Sequence, residues 1–172
     1  GVDDMLAALT AVVEHGQCLW LSHEGETTSD ERPSLLLDGD AEQRARAVQA
    51  AAQLAPEYLV LHFAVEGTVL AGILEAMRSG TGGVILSSAC TTLRQATHRL
   101  AAELSMHQPG TTVATCRAWL TSSFDLVLEV TRLRDGRLRV VRLVEFRPTA
   151  QGVSLRDIFS FAYQGTAAGG SV

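Results

Sequence analysis

PEYLVLHFAVEGTVLAGILEAMRSGTGGVILSSACTT, residues 56–92, is the stretch that decides the fold. Two short apolar runs, Tyr58–Phe63 and Val84–Leu86, bracket one amphipathic helix. Aliphatic runs without polar alternation suit strands covered on both faces, as in a parallel sheet. The stretch therefore reads as a strand–helix–strand unit. In such sheets ligands sit beyond the carboxyl ends of the strands. Here those ends carry Phe63-Ala64-Val65 and Ser87-Ser88-Ala89, with no Asp, Glu, Lys or His in either tip.

Moving outward toward the N-terminus, Met5, Leu6, Leu9, Val12 and Val13 repeat at helical spacing over residues 3–14. Cys18–Leu21 and Ser34–Leu37 read as strands, separated by a polar loop over residues 23–32. Asp40 with Gln43 three residues on has the form of a capping box, opening an Ala-rich helix to about Leu54. Arg44 and Arg46 are expected on its solvated side. Beyond the central unit, Thr91 or Thr92 caps a helix with Leu93, Ala96, Leu100 and Leu104 on one face. A shorter helix over residues 111–122 is expected to bury Val113, Cys116 and Leu120. Trp20 and Trp119 are expected in the core.

From Phe124 the period becomes two. Phe124, Leu126, Leu128 and Val130 point one way, and Asp125, Glu129 and Thr131 the other. Asp135-Gly136 signals a hairpin turn, returning through Leu138 and Val140 to Phe146. A second turn near residues 150–152 leads to Val153–Leu155 and to Ile158-Phe159-Ser160-Phe161. Residues 1–165 are read as a single domain, a fragment of a longer protein, and residues 166–172 as a flexible tail.

Composition narrows the function classes. The chain has 172 residues, 47% apolar and 19% charged, as in a globular domain. Its net charge of −5 argues against nucleic acid as the main partner. Arg132, Arg134, Arg137, Arg139 and Arg142 form a basic ribbon without interleaved aromatics, which reads as a solvated strand face or a subunit-contact edge. Cys18, Cys90 and Cys116 include no CxxC pair, so they read as reduced, buried thiols rather than a zinc or disulfide framework. His98 and His107 are spaced too far apart to share one metal from one helix face. Ser87, Ser88 and Cys90 lack the GxSxG elbow of a nucleophile. No apolar run approaches the roughly 18 residues of a membrane span.

Several words of this sequence resemble a known family, the ATPases of type II and type IV secretion and of type IV and Tad pili. FDLVLEVTRLRDGRLRVVRLVEF (124–146) and VSLRDIFSF (153–161) resemble the family's terminal hairpin and closing segment. AMRSGTGG (76–83) is similar to its "AMNTGHDG", and RQATHRL (94–100) stands in the place of its "RDALSRL". The resemblance implies a RecA-like α/β fold, a mostly parallel sheet flanked by helices, with a C-terminal antiparallel hairpin. It also implies assembly into a ring, protein partners in a secretion or pilus machine, and a cytoplasmic place at the inner face of the inner membrane.

The same resemblance implies that the chemistry is gone. A phosphate loop ends in Gly-Lys-Thr, whose Lys neutralises phosphate oxygens and whose Thr holds Mg²⁺. Aligned to the family's "GKTTLL", this chain reads Gly1-Val2-Asp3-Asp4-Met5-Leu6. Val2 replaces the Lys, and Asp3 and Asp4 would each repel phosphate by about 1 kcal/mol in water. The family's "RPDRIIVGEVRG" matches APEYLVLHFAVEG, and its catalytic Glu falls on Phe63 or Ala64. Neither side chain can act as a base. Glu66 lies close by as the remaining candidate. The family's "GSLSTVHANS" matches GVILSSACTT, and its His falls on Ala89. Glu24 and Glu26 are the nearest matches to its acidic box. The resemblance therefore implies an inactive relative with neither ATP nor a metal, serving as a structural or regulatory subunit. An active ATPase completed by residues outside this chain or by a neighbouring subunit, and a generic α/β binding module, stand as alternatives.

Overall fold

The computed structural model describes residues 5–6, 8–9, 11, 18–23, 34–37, 39–62, 65–80, 82–150 and 152–161. The chain divides into two compact units, Gly1–Ser123 and Phe124–Val172.

The first unit is built on four parallel strands: β1 (Cys18–His23), β2 (Ser34–Leu37), β3 (Tyr58–His62) and β4 (Gly83–Leu86), in the order β2-β1-β3-β4. The helices that follow β2 are α1 (Ala41–Gln53), α2 (Gly67–Arg78), α3 (Leu93–Met106) and α4 (Val113–Ser123). Residues 5–6, 8–9 and 11 are helical as well. Successive strand residues point to opposite faces, and Leu59, Val60 and Leu61 are all fully buried. Both faces of the sheet are therefore covered, as the aliphatic run at 58–62 requires. On one face Leu6, Trp20 and Val60 form a buried cluster with Cys18 and Ile85 packed against it.

The helix boundaries follow local chemistry. Asp40 Oδ1 accepts from the Gln43 amide at 2.9 Å, and the Gln43 carboxamide accepts from the Asp40 amide at 2.9 Å. This is the capping box that the sequence indicates. Thr92, not Thr91, caps α3, accepting from the Gln95 amide at 3.2 Å. α2 runs unusually close to α3: a Cβ on Gly67 would lie 2.6 Å from the Glu103 carbonyl oxygen.

Four packing expectations need correction. Val113 is 38% exposed, because it opens α4 and its helical stripe starts only at Cys116 and Leu120, which are buried. Trp119 is 39% exposed on the turn beside Leu120. Cys90 is exposed in the loop after β4, whereas Cys18 is half-buried and Cys116 buried. Arg44 is not solvated; its side chain is 13% exposed, for a reason given below.

The second unit is an antiparallel sheet of three strands, β5 (Leu126–Arg132), β6 (Leu138–Thr149) and β7 (Gly152–Ser160), in that order. The closing segment is thus a full third strand added to the expected hairpin. Gly136 takes φ 77, which the turn needs and which glycine adopts without Cβ strain. The register shifts between Glu129 and Val130 on β5, and again between Leu143 and Val144 opposite β7. Arg142 is half-buried, within 3.6 Å of Glu129 on one side and 2.7 Å of Asp157 on the other, so it leaves the expected ribbon of exposed arginines. Residues 166–172 lie outside the described residues.

Candidate functional site

Because β1 to β4 are parallel, their carboxyl ends form one edge of the sheet, where ligands of such folds sit. β4 ends at Leu86 and runs through Ser87–Thr92 into α3. Ala89, Cys90, Thr91, Gln95 and Arg99 line a depression of about 320 Å³ there. The Arg99 guanidinium donates to Ser88 Oγ at 2.6 Å, and its Nε lies 3.9 Å from Glu103. Ser88 Oγ lies 3.9 Å from Cys90 Sγ. A hydroxyl that accepts from a guanidinium is not activated for attack, since nucleophilic serine needs a base taking its proton.

The carboxylate nearest the tip of β3 is Glu66. It occupies the N-cap position of α2, yet its side chain makes no capping bond. Instead it accepts from Arg44 Nη2 at 2.8 Å. Arg44 Nη1 donates in turn to the Gly39 carbonyl at 3.0 Å. One guanidinium thus ties the start of α1 to the start of α2. This explains why Arg44 is drawn in from solvent while Arg46, paired with Glu42 along the helix, is 74% exposed.

Two further polar groups sit near this edge. Thr68 Oγ1 lies 3.1 Å from His107 Nδ1, linking the first turn of α2 to the end of α3. Ser22, next to last in β1 and in register with His62, is fully buried, and its hydroxyl is the one buried side-chain polar atom among the described residues without a hydrogen-bond partner. Nothing local in the sequence marks Ser22, and the Arg44–Glu66 pair spans 22 positions, so sequence reasoning missed both.

Of the residues singled out from the sequence, the structure places Glu66 and Ala89 at the carboxyl edge, the latter exposed. Gly1, Val2, Asp3, Asp4, Phe63 and Ala64 lie outside the described residues, as do Glu24 and Glu26. His98 is exposed on α3. Among the described residues no three of His, Cys, Asp and Glu converge to hold a metal, and no helix is long and apolar enough to cross a membrane.

No protein-family profile and no curated protein matches the sequence. Solved structures do. The VirB11 ATPase of the Brucella suis type IV secretion system, in complex with sulphate, superposes with a TM-score of 0.64 at 15% identity. The match covers 81% of this chain and 44% of that one. The pilus retraction motor PilT with bound ADP matches with a TM-score of 0.51 at 12% identity, over 87% of this chain and 41% of that one. The chain therefore spans less than half the length of these ATPases. At such identity the likeness is one of fold, and the fold is the RecA-like one of the secretion motors.

Proposed function

We propose that this chain keeps the frame of a secretion or pilus motor without its nucleotide chemistry, and works as a structural or regulatory subunit of such a machine. The observation that carries the reading is the use made of Glu66, the candidate acid that stands at the strand edge among the described residues: it braces α1 against α2 through Arg44. Composition supports it. The 14 basic residues are all arginine, so no lysine in these 172 residues can reach phosphate from a phosphate loop. The described residues at the edge offer hydroxyls, an amide and an arginine already bound to Ser88 and Glu103. That donor set does not fit a triphosphate with its metal, which needs a free cation and a carboxylate or hydroxyl on Mg²⁺. Its partners would be the proteins of the machine, met at the cytoplasmic face of the inner membrane, in a ring of its own or of a homologue.

The other reading, an active ATPase, draws on PilT having been solved with ADP and on the length of the solved ATPases that the match leaves uncovered. Calorimetry with Mg-ATP on the full-length protein separates the two. No binding heat and no thermal shift at millimolar ATP are expected. Saturable binding with turnover that Glu66→Gln abolishes would overturn the proposal.

A further inference from the structure

The arginines of the second unit are unevenly matched with acids. Residues 124–172 hold 7 arginines and 5 acids. Away from the β5–β6 turn each arginine meets a carboxylate. Arg142 lies 3.6 Å from Glu129 and 2.7 Å from Asp157, and Glu145 takes Arg147 at 2.6 Å and Arg156 at 3.7 Å. The turn breaks this pattern. Arg132-Leu133-Arg134-Asp135-Gly136-Arg137-Leu138-Arg139 sets 4 arginines against 1 acid, a local +3 in a chain whose net charge is −5. All four arginines are exposed.

The bonds of the turn decide which of these cations are available. The Leu133 amide donates to the Arg137 carbonyl and the Gly136 amide to the Leu133 carbonyl, both at 2.9 Å, which leaves Arg134, Asp135 and Gly136 as a three-residue loop. Asp135 is turned back onto the hairpin, accepting from the Arg137 amide at 3.0 Å and from the Arg139 guanidinium at 3.2 Å. Arg132 donates to the Gly136 carbonyl at 2.6 Å. These bonds hold the loop in one shape. They leave the Arg134 and Arg137 guanidiniums without a partner among the described residues, with Leu133 and Leu138 half-buried beside them.

We infer that this tip rests on the headgroup phosphates of an anionic bilayer. The inference goes beyond the subunit reading above and holds whether or not the protein binds nucleotide. A guanidinium takes a phosphate through two parallel hydrogen bonds, and its apolar stem is at home at the headgroup boundary. The shape of the tip selects the occupant. A three-residue loop is convex, so it encloses neither a small anion nor an extended acidic peptide, but it can touch a plane of phosphates at several points. Nucleic acid would call for stacking side chains, and residues 131–140 contain no aromatic. The rest of the chain is acidic and is repelled by the same surface, which confines the contact to the tip. Each arginine near an anionic leaflet is worth about fivefold in partitioning, so a local +3 supplies on the order of a hundredfold at low salt.

The test is cosedimentation of the full chain with vesicles. Binding is expected to mixed phosphatidylglycerol and phosphatidylcholine and not to phosphatidylcholine alone. It should weaken at least tenfold when salt rises from about 50 mM to about 500 mM, which shortens the screening length to a few ångströms. Arg134→Gln with Arg137→Gln should keep the far-ultraviolet spectrum and lose at least tenfold in binding. Arg147→Gln with Arg156→Gln removes the same charge from paired arginines and should stay within about threefold of wild type. In wild type, the vesicles should slow amide exchange across Leu133–Arg137. No binding to anionic vesicles at low salt overturns the inference, as does a loss that is equal in the two double variants. Displacement by millimolar inorganic phosphate at constant ionic strength would assign the tip to a single phosphate. Tighter binding to polyglutamate than to vesicles, lost with Arg134 and Arg137, would assign it to an acidic protein segment. Either result also overturns the inference. Mg-ATP binding would sink the inactive reading and leave this result standing, so the two failures are distinguishable.

Discussion

Glu66 is where the functional and the structural readings part most sharply, and a double-mutant cycle with Arg44 decides between them. The atoms lie 2.8 Å apart, Arg44 is 13% and Glu66 52% exposed. Two unit charges near contact attract by several kcal/mol at an effective dielectric near 20, and by about 1 kcal/mol in water. Glu66 is half in solvent, so the larger figure must be discounted toward the range of exposed pairs, 0.2–1 kcal/mol. The withdrawn guanidinium pulls the other way, because a lost partner leaves a largely desolvated charge. A coupling of about 1 kcal/mol follows from these limits. Urea unfolding of wild type, Arg44→Met, Glu66→Gln and the double variant measures it. Each kcal/mol moves the midpoint by roughly 0.3–1 M at the slopes usual for small proteins. Each single variant should lose stability, and the double variant should lose less than their sum. A coupling below about 0.3 kcal/mol, within ordinary additivity error, would refute the brace. A Glu66→Gln protein of full stability that loses a measured ATP turnover would refute the whole argument.

Three other perturbations have defined outcomes. Ser22→Ala removes a buried hydroxyl with no partner, a group that costs about 1–3 kcal/mol to leave unmade, so the melting temperature should rise by a few degrees in calorimetry; a fall would mean that the hydroxyl holds a water or ligand. Gly67→Ala sets a Cβ 2.6 Å from the Glu103 carbonyl oxygen and 2.8 Å from the His107 ring, an overpacking of about 1–3 kcal/mol that helix propensity of about 1 kcal/mol does not offset, so stability should fall. The Asp135 carboxyl is held below the ordinary aspartate value by the Arg137 amide first and the Arg139 side chain next. A depressed carboxylate stabilises above its unfolded-state value and loses that contribution as pH falls through its folded-state value, so the turn should loosen only at acid pH. Amide exchange across Leu133–Arg137 checks this, and Asp135→Asn should remove the acid step.

Local signals carried the elements, and long-range ones were silent. The Asp40–Gln43 box, the Thr92 cap and the Asp135-Gly136 turn each rest on residues within three positions, where side-chain chemistry acts without knowledge of the fold. The aliphatic run at 58–62 needs two covered faces whatever covers them, so the parallel sheet was legible too. Arg44 was misread because its partner lies on another helix, and an Ala-rich helix gives no sign of which polar residue is drawn inward. Trp119 was misread because a large apolar residue raises the expectation of burial without fixing its helical phase. In the second unit the alternation at 124–131 showed which side chains share a face. It did not show that Val144 and Phe146 would be buried on the other one, since the register shifts at Glu129/Val130 and Leu143/Val144 are set by pairing between strands.

Several polar groups at the carboxyl edge are held by neighbours, in contrast to the buried Ser22 hydroxyl. Glu66 is tied to Arg44, Arg99 to Ser88 and Glu103, and His107 to Thr68. A working site holds such groups free, or poised by partners that leave one face open to substrate. Once a group has no substrate to meet, a neighbour that satisfies it is favoured, because a polar atom half-withdrawn from water costs less when bonded. The apolar frame is under different control. Leu59, Val60, Leu61, Val69, Leu70 and Ile73 are fully buried, and truncating any of them costs several kcal/mol out of a total stability of about 5–15. Selection for folding alone therefore suffices to preserve the sheet and its helices, whatever chemistry their edge carries. That asymmetry makes the brace at Glu66 a sharper test than the fold itself: a RecA-like frame is expected of active and inactive relatives alike, whereas the Arg44–Glu66 coupling and the effect of Glu66→Gln on turnover can be measured separately.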